Sequence, residues 1–151
     1  MRRLGLLLSL LLIIPSACYG VTVTSTTGTV TSPAPIAYGK GIERITLSWV
    51  SSASNVDAVV SGVKGLLIAA EYVPGASTPT SLYDVTLTDD DSVDVLLGTG
   101  ANLSNSSASL TDINITAGQH SPVPVLGDLT LAVRNAGASK SGTIRLFLTG
   151  G

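Results

Sequence analysis

Four aspartates, Asp89, Asp90, Asp91 and Asp94, lie within six residues and form the densest group of potential metal ligands in the chain. An EF-hand loop starting at Asp89 or Asp90 fails, because its sixth position, where glycine makes the sharp turn, falls on Asp94 or Val95. A looser calcium site would need Asp89, Asp91 and Asp94 to converge on one ion. Asp and Ser side chains also hydrogen-bond the backbone of their own turn, which accounts for Asp89-Asp90-Asp91-Ser92 without a ligand. No metal is therefore assigned. Ser61-Gly62-Val63-Lys64 has the Ser-x-x-Lys spacing of acyl-transfer enzymes, but no Ser-Asp-Asn or Lys-Thr-Gly accompanies it, and it reads as a loop. Gly39-Lys40 lacks the glycine of a phosphate loop five positions earlier, where Ala34 stands, and Gly98-Thr99-Gly100 has Leu103 in place of a third glycine. His120 is the single imidazole, so any Ser-His-Asp arrangement would have to use it. Beside Ser121 and Pro122 it reads as an exposed loop residue. Asn102-Leu103-Ser104, Asn105-Ser106-Ser107 and Asn114-Ile115-Thr116 fit the N-glycosylation pattern, but a chain this rich in Ser and Thr produces such triplets freely. Neither catalytic residues nor a cofactor are assigned, and the expectation is a protein that is not an enzyme.

The composition points the same way. The chain has 151 residues, enough for one domain, of which 44% are hydrophobic, 4% aromatic and 12% charged. The charged share is about half the usual 25% or so, while the hydrophobic share is too high for a disordered chain. Eight basic and ten acidic residues give a net charge of −2, and Arg2-Arg3 is the only basic cluster. A surface tracking phosphates has nothing to be built from, so nucleic acid is not an expected partner.

Met1-Arg2-Arg3 followed by the apolar run Leu4 to Ile14 has the build of a secretory signal. Eleven helical residues reach only about 17 Å, short of the roughly 30 Å hydrocarbon core of a bilayer. Pro15 to Gly20 supplies a helix breaker and small residues that permit cleavage after Gly20. Ser16-Ala17-Cys18 also resembles the end of a bacterial lipoprotein signal, with Pro15 where leucine is usual, which makes Cys18 the lipidation candidate. Any membrane contact is expected only through this leader or a lipidated Cys18.

Residues 1–20 are thus read as a signal-like leader, 21–41 as an extended Thr/Pro-rich arm and 42–151 as the folded domain. Val21 to Pro35 alternates locally and carries Pro33 and Pro35, the pattern of an edge strand or an arm. Ile42 to Val50 alternates Ile45, Leu47 and Trp49 against Arg44, Thr46 and Ser48, so a half-buried strand with Trp49 as a core anchor is predicted. Gly65 to Val73, closed by Pro74-Gly75, suits a buried strand. Leu82 to Thr88 and Val93 to Leu97 read as a hairpin across the acidic turn, followed by a polar loop from Asn102 to Asp112. Leu129 to Arg134 and Thr143 to Leu148 read as a second hairpin across residues 135–142. No stretch has a helical period, and there is no internal repeat. The predicted fold is all-β, a single-domain antiparallel β-sandwich or jelly roll.

Several stretches resemble a widespread set of small structural proteins of tailed bacteriophages. They are Glu71-Tyr72-Val73-Pro74-Gly75, Thr78-Pro79-Thr80, Tyr83 to Leu87, Asp91, Asp94-Val95-Leu96 and Gly98 to Asn105. Toward the C-terminus Gly127 to Leu131, Asn135-Ala136-Gly137 and Gly142-Thr143-Ile144 continue the likeness, which covers roughly Ile42 to Leu148. The resemblance implies a β-sandwich component of the virion, a head decoration or fibre-like subunit, with no catalytic residues to carry over. The leader departs from that picture, since virion parts assemble in the cytoplasm. Two classes therefore stay open: a virion subunit, and a secreted or lipid-anchored β-sandwich of the outer envelope that binds a surface partner.

Few charges on a neutral Ser, Thr, Ala and Val surface favour association. The expected partners are the chain itself, as a homo-oligomer, and other virion proteins; the resemblance to virion decorations, which are commonly trimers, implies a trimer, and the arm from Val21 to Pro35 either covers its own sheet edge or, by preference, adds to a neighbour's.

Overall fold

The computed structural model describes residues 20–39, 41–116 and 119–150. The leader residues 1–19, including Cys18, and Lys40 lie outside the described residues. The described residues contain no helix and form thirteen strands: β1 (Thr22–Thr27), β2 (Thr29–Thr31), β3 (Ile36–Tyr38), β4 (Ile42–Val50), β5 (Val56–Ser61), β6 (Lys64–Pro74), β7 (Asp84–Thr88), β8 (Ser109–Asp112), β9 (Asn114–Thr116), β10 (Gln119–His120), β11 (Val123–Leu126), β12 (Leu129–Arg134) and β13 (Ser141–Thr149). A four-stranded sheet has the order β1-β5-β12-β7, and a larger one the order β11-β6-β13-β4-β2. Strand β3 shares the edge of β4 with β2, β8 shares the edge of β6 with β11, and β9 and β10 form a small ribbon. Every pairing is antiparallel. The fold is an all-β, sandwich-like single domain.

Side-chain alternation explains the two layers. In β4, Ile45, Leu47 and Trp49 are buried; so are Ile144, Leu146 and Leu148 of β13. The smaller sheet answers with Val56, Ala58 and Val60 of β5, Val85 and Leu87 of β7, and Leu129, Leu131 and Val133 of β12. One apolar cluster fills the space between the layers. Trp49 sits in it, 2% exposed, its ring 5.8 Å from that of Tyr83 and tilted by 53°. Opposite Trp49 in the register is Gly142, where a Cβ would stand 2.5 Å from the indole Cζ2, so only glycine lets the ring lie against that strand.

Three expectations are revised. Val93 to Leu97 is not a strand: after a single bridge between Thr88 and Asp94 the chain turns repeatedly. Ser92 and Leu97 have φ of 63° and 51°, a left-handed conformation that an extended strand does not accommodate. The second predicted hairpin is also absent. Strand β12 pairs with β5 and β7, whereas β13 pairs with β4 and β6 in the other sheet. Their six-residue link, 135–140, crosses between layers, held by Ala136 N–H donating to Ser54 O (3.2 Å) and Lys140 N–H to buried Ser51 Oγ (2.9 Å). Part of the predicted loop from Asn102 to Asp112 is strand β8. The segment read as an edge strand or an arm takes the edge-strand form, paired within its own chain: β1 lies on β5, while β2 and β3 lie on β4. Gly28, at φ 68°, carries the chain from one sheet to the other, and a Cβ there would come within 2.6 Å of Val50 O.

Strand β6 lies between β13 and the short strands β8 and β11, as its apolar run suggested, yet only its inner face is buried. Leu67, Ala70 and Tyr72 point inward, the spacing broken by an irregularity opposite Phe147 and Leu148, and Leu66 stays 41% exposed.

Candidate functional site

The acidic turn directs its carboxylates at its own backbone. Asp89 Oδ1 accepts the N–H groups of Asp91 (3.1 Å) and Val93 (2.9 Å). Asp94 Oδ1 accepts those of Leu87 (3.1 Å) and Leu96 (3.1 Å), and its Oδ2 accepts that of Gly98 (2.9 Å). A short distance away Asp84 accepts from Asn102 N–H (2.9 Å) and Asn135 Nδ2 (3.0 Å). Asp91 is exposed. A cation would have to compete with these donors for Asp89 and Asp94. Among the described residues no group of three or more His, Cys, Asp or Glu side chains is gathered for a metal.

The turn does something structural instead. It folds the chain back onto the outer edge of β7, where Val95 N–H donates to Leu87 O, Val85 N–H to Gly100 O and Leu103 N–H to Tyr83 O, each at 2.8 Å. That edge is closed by irregular backbone, which offers no regular row of groups to another strand. In the same loop Thr99 Oγ1 donates to Leu96 O (2.9 Å) and lies 2.8 Å from the hydroxyl of Tyr72. Burial pushes the Tyr72 hydroxyl up to about 12; the Thr99 hydrogen bond opposes the shift, and the charge of Asp94 adds to it.

The remaining motifs stay apart. Ser61 ends β5 in one sheet and Lys64 opens β6 in the other. His120 belongs to β10 and Asn114 to β9, the two strands of the small ribbon. Asn102 has φ 53° within the loop over β7. Cys18, the lipidation candidate, is outside the described residues.

The outer face of the larger sheet carries an apolar patch. The register aligns Tyr38, Ile42, Thr149 and Leu66 in one row and Ile36, Arg44, Phe147 and Ala69 in the next. Ile36, Tyr38 and Leu66 are 45%, 43% and 41% exposed, and Ile42 and Phe147 are half-buried between them. Arg44 lays its guanidinium 5.5 Å over the ring of Tyr38, a cation–π contact, and Arg145 pairs with Glu71 at 2.7 Å in the adjoining row. Phe147, the single phenylalanine, thus faces away from the core. Its outward register was readable from the alternation of Thr143, Arg145 and Phe147. The contribution of Ile36 and Tyr38 was not, because nothing in their short segment indicates which strand they join.

Fold and surfaces together define an antiparallel β-sandwich with one sealed sheet edge and one apolar outer face. The chain matches no family model, no curated protein and no solved structure.

Proposed function

We propose that this chain is a non-enzymatic structural subunit of a bacteriophage particle, a capsid decoration or other virion surface component, working by self-association and contact with other virion proteins. The observation that carries the reading is the apolar outer face of the larger sheet, where Ile36, Tyr38 and Leu66 are exposed beside Phe147. Aromatic and aliphatic side chains with an arginine between them are the usual core of a protein–protein contact. The likeness of the stretch from Ile42 to Leu148 to small virion proteins supports the same reading.

One observation favours a second reading, a secreted or lipid-anchored β-sandwich that binds a surface partner. Arg2-Arg3 before Leu4 to Ile14, with Cys18 following, has the order of an export signal. Mass spectrometry of the N-terminus from producing cells, together with a search for the chain in gradient-purified particles, separates the two. Particles containing a chain that starts at Met1 support the virion subunit. A chain starting at Val21, or at a diacylated Cys18, and missing from particles overturns it in favour of secretion or anchoring.

A further inference from the structure

The sheet edges are not equally protected. Irregular backbone from residues 94–103 closes β7. The edge of β4 is taken by β2 and β3, with Pro33 and Pro35 between them, and the edge of β6 by β8 and β11, each of four residues, with Pro124 inside β11. Strand β1 differs. Among the described residues it is the outermost strand of the smaller sheet and pairs with β5 alone; it runs for six residues and contains only Thr, Ser and Val. It lacks the charges and prolines that ordinarily blunt an edge. The core is also open at this end: Val21 and Val23 are only partly buried, while Val56, Ala58 and Val60 of the neighbouring strand are completely so.

We infer that β1 is a self-association edge, at which two copies of this chain join β1 to β1, antiparallel, about a two-fold axis, turning two four-stranded sheets into one continuous sheet. The inference rests on the self-association part of the proposed function, and it deepens that reading by naming the surface and the symmetry. An irregularity between Ser25 and Thr27 ends the regular stretch at Ser25. Core-facing residues must oppose core-facing residues for the two inner faces to merge. Centring the axis on Val23 meets that requirement and uses the regular stretch in full. Val23 then opposes Val23 of the partner subunit, and the exposed Thr22 opposes Thr24 of the partner subunit. Thr–Thr pairs are favourable across strands, and a strand without charge brings no like charges together at a symmetric contact. Both half-buried valines gain cover. A three-membered ring made by strand pairing would need two different free edges on each copy, whereas a two-fold contact needs one. The resemblance to virion decorations implies a trimer; strand pairing at this edge favours a dimer instead.

Sedimentation of the full chain tests this, alone and with two double substitutions on the exposed face of β1, Thr22→Lys with Thr24→Lys, and Thr22→Glu with Thr24→Glu. The wild-type chain is expected to be dimeric at micromolar concentration. Each double variant should dimerise at least about tenfold more weakly, since like charges face each other across the axis. An equal mixture of the two should recover the dimer, because each lysine then faces a glutamate. Unchanged Trp49 emission verifies that the variants remain folded. A monomeric wild type overturns both this inference and self-association itself. A wild-type oligomer that survives in both variants overturns only the edge and moves association to another surface. Variants that are monomeric alone and remain so when mixed overturn the two-fold pairing.

Discussion

Replacing Asp94 by alanine removes the acceptor of three backbone N–H groups, those of Leu87, Leu96 and Gly98. Gly98 is exposed and water takes over its donor, but Leu87 and Leu96 are buried, at 1% and 0% exposure. A buried donor left without a partner costs about 1 to 3 kcal/mol, and partial solvent entry in a loop favours the lower half of that range. Two such donors put the loss for Asp94→Ala at about 2 to 4 kcal/mol, a large share of the roughly 5 to 15 kcal/mol that holds an ordinary domain folded. Asp94→Asn keeps the oxygen facing Leu87 and Leu96 and sets an amide against the exposed Gly98 N–H, so its cost is about 1 kcal/mol. Urea unfolding followed by Trp49 emission measures both, with the midpoint falling and the slope unchanged. An alanine variant within about 0.5 kcal/mol of wild type, or an asparagine variant as unstable as alanine, would show that this carboxylate does not hold the loop. Millimolar calcium is expected to leave the wild-type midpoint where it is, because Asp89 and Asp94 already accept backbone donors. A midpoint that climbs with calcium would refute that assignment, since a ligand that binds only the folded chain must stabilise it.

Three further outcomes follow from the core. Trp49→Ala is expected to cost about 3 to 5 kcal/mol, and the wild-type emission should be blue-shifted; emission near that of free indole in water would contradict the burial of this single tryptophan. Gly142→Ala pushes a methyl group into the Trp49 ring and should lower stability by about 1 to 3 kcal/mol in the same unfolding assay, with a neutral result showing that the ring can move aside. Tyr72 holds its proton up to about 12 when folded and loses it near 10 when unfolded, so the unfolded chain binds fewer protons across that window. Stability should be constant with respect to this group below pH 10 and fall toward pH 12, by at most about 2 to 3 kcal/mol; Tyr83, raised by burial too, adds in the same direction. Tyr72→Phe should flatten the decline, and an unaltered slope would rule out Tyr72 as its source.

What the sequence revealed and what it hid divide along the range of the interactions. Which face of a strand is buried depends on neighbours two residues apart, so the inward sets Ile45, Leu47, Trp49 and Ile144, Leu146, Leu148 were legible, and with them the all-β sandwich. Strand partners are chosen over long separations. Leu129 to Arg134 and Thr143 to Leu148 alternate equally well in one hairpin or in two opposed sheets, and their eight-residue link permits both. The acidic turn shows the same division. That Asp89 would serve its own turn was readable, because its donors Asp91 and Val93 are two and four residues away. That Asp94 would also reach Leu87, and help close an edge of the sheet, was not. The segment from Val21 to Pro35 was harder still, since pairing with its own chain and pairing with a neighbour looked like alternatives. A strand has two edges. By placing β1 on β5, the fold uses one of them and, among the described residues, leaves the other at the rim of the sheet, so pairing within the chain does not compete with the proposed pairing to a second copy.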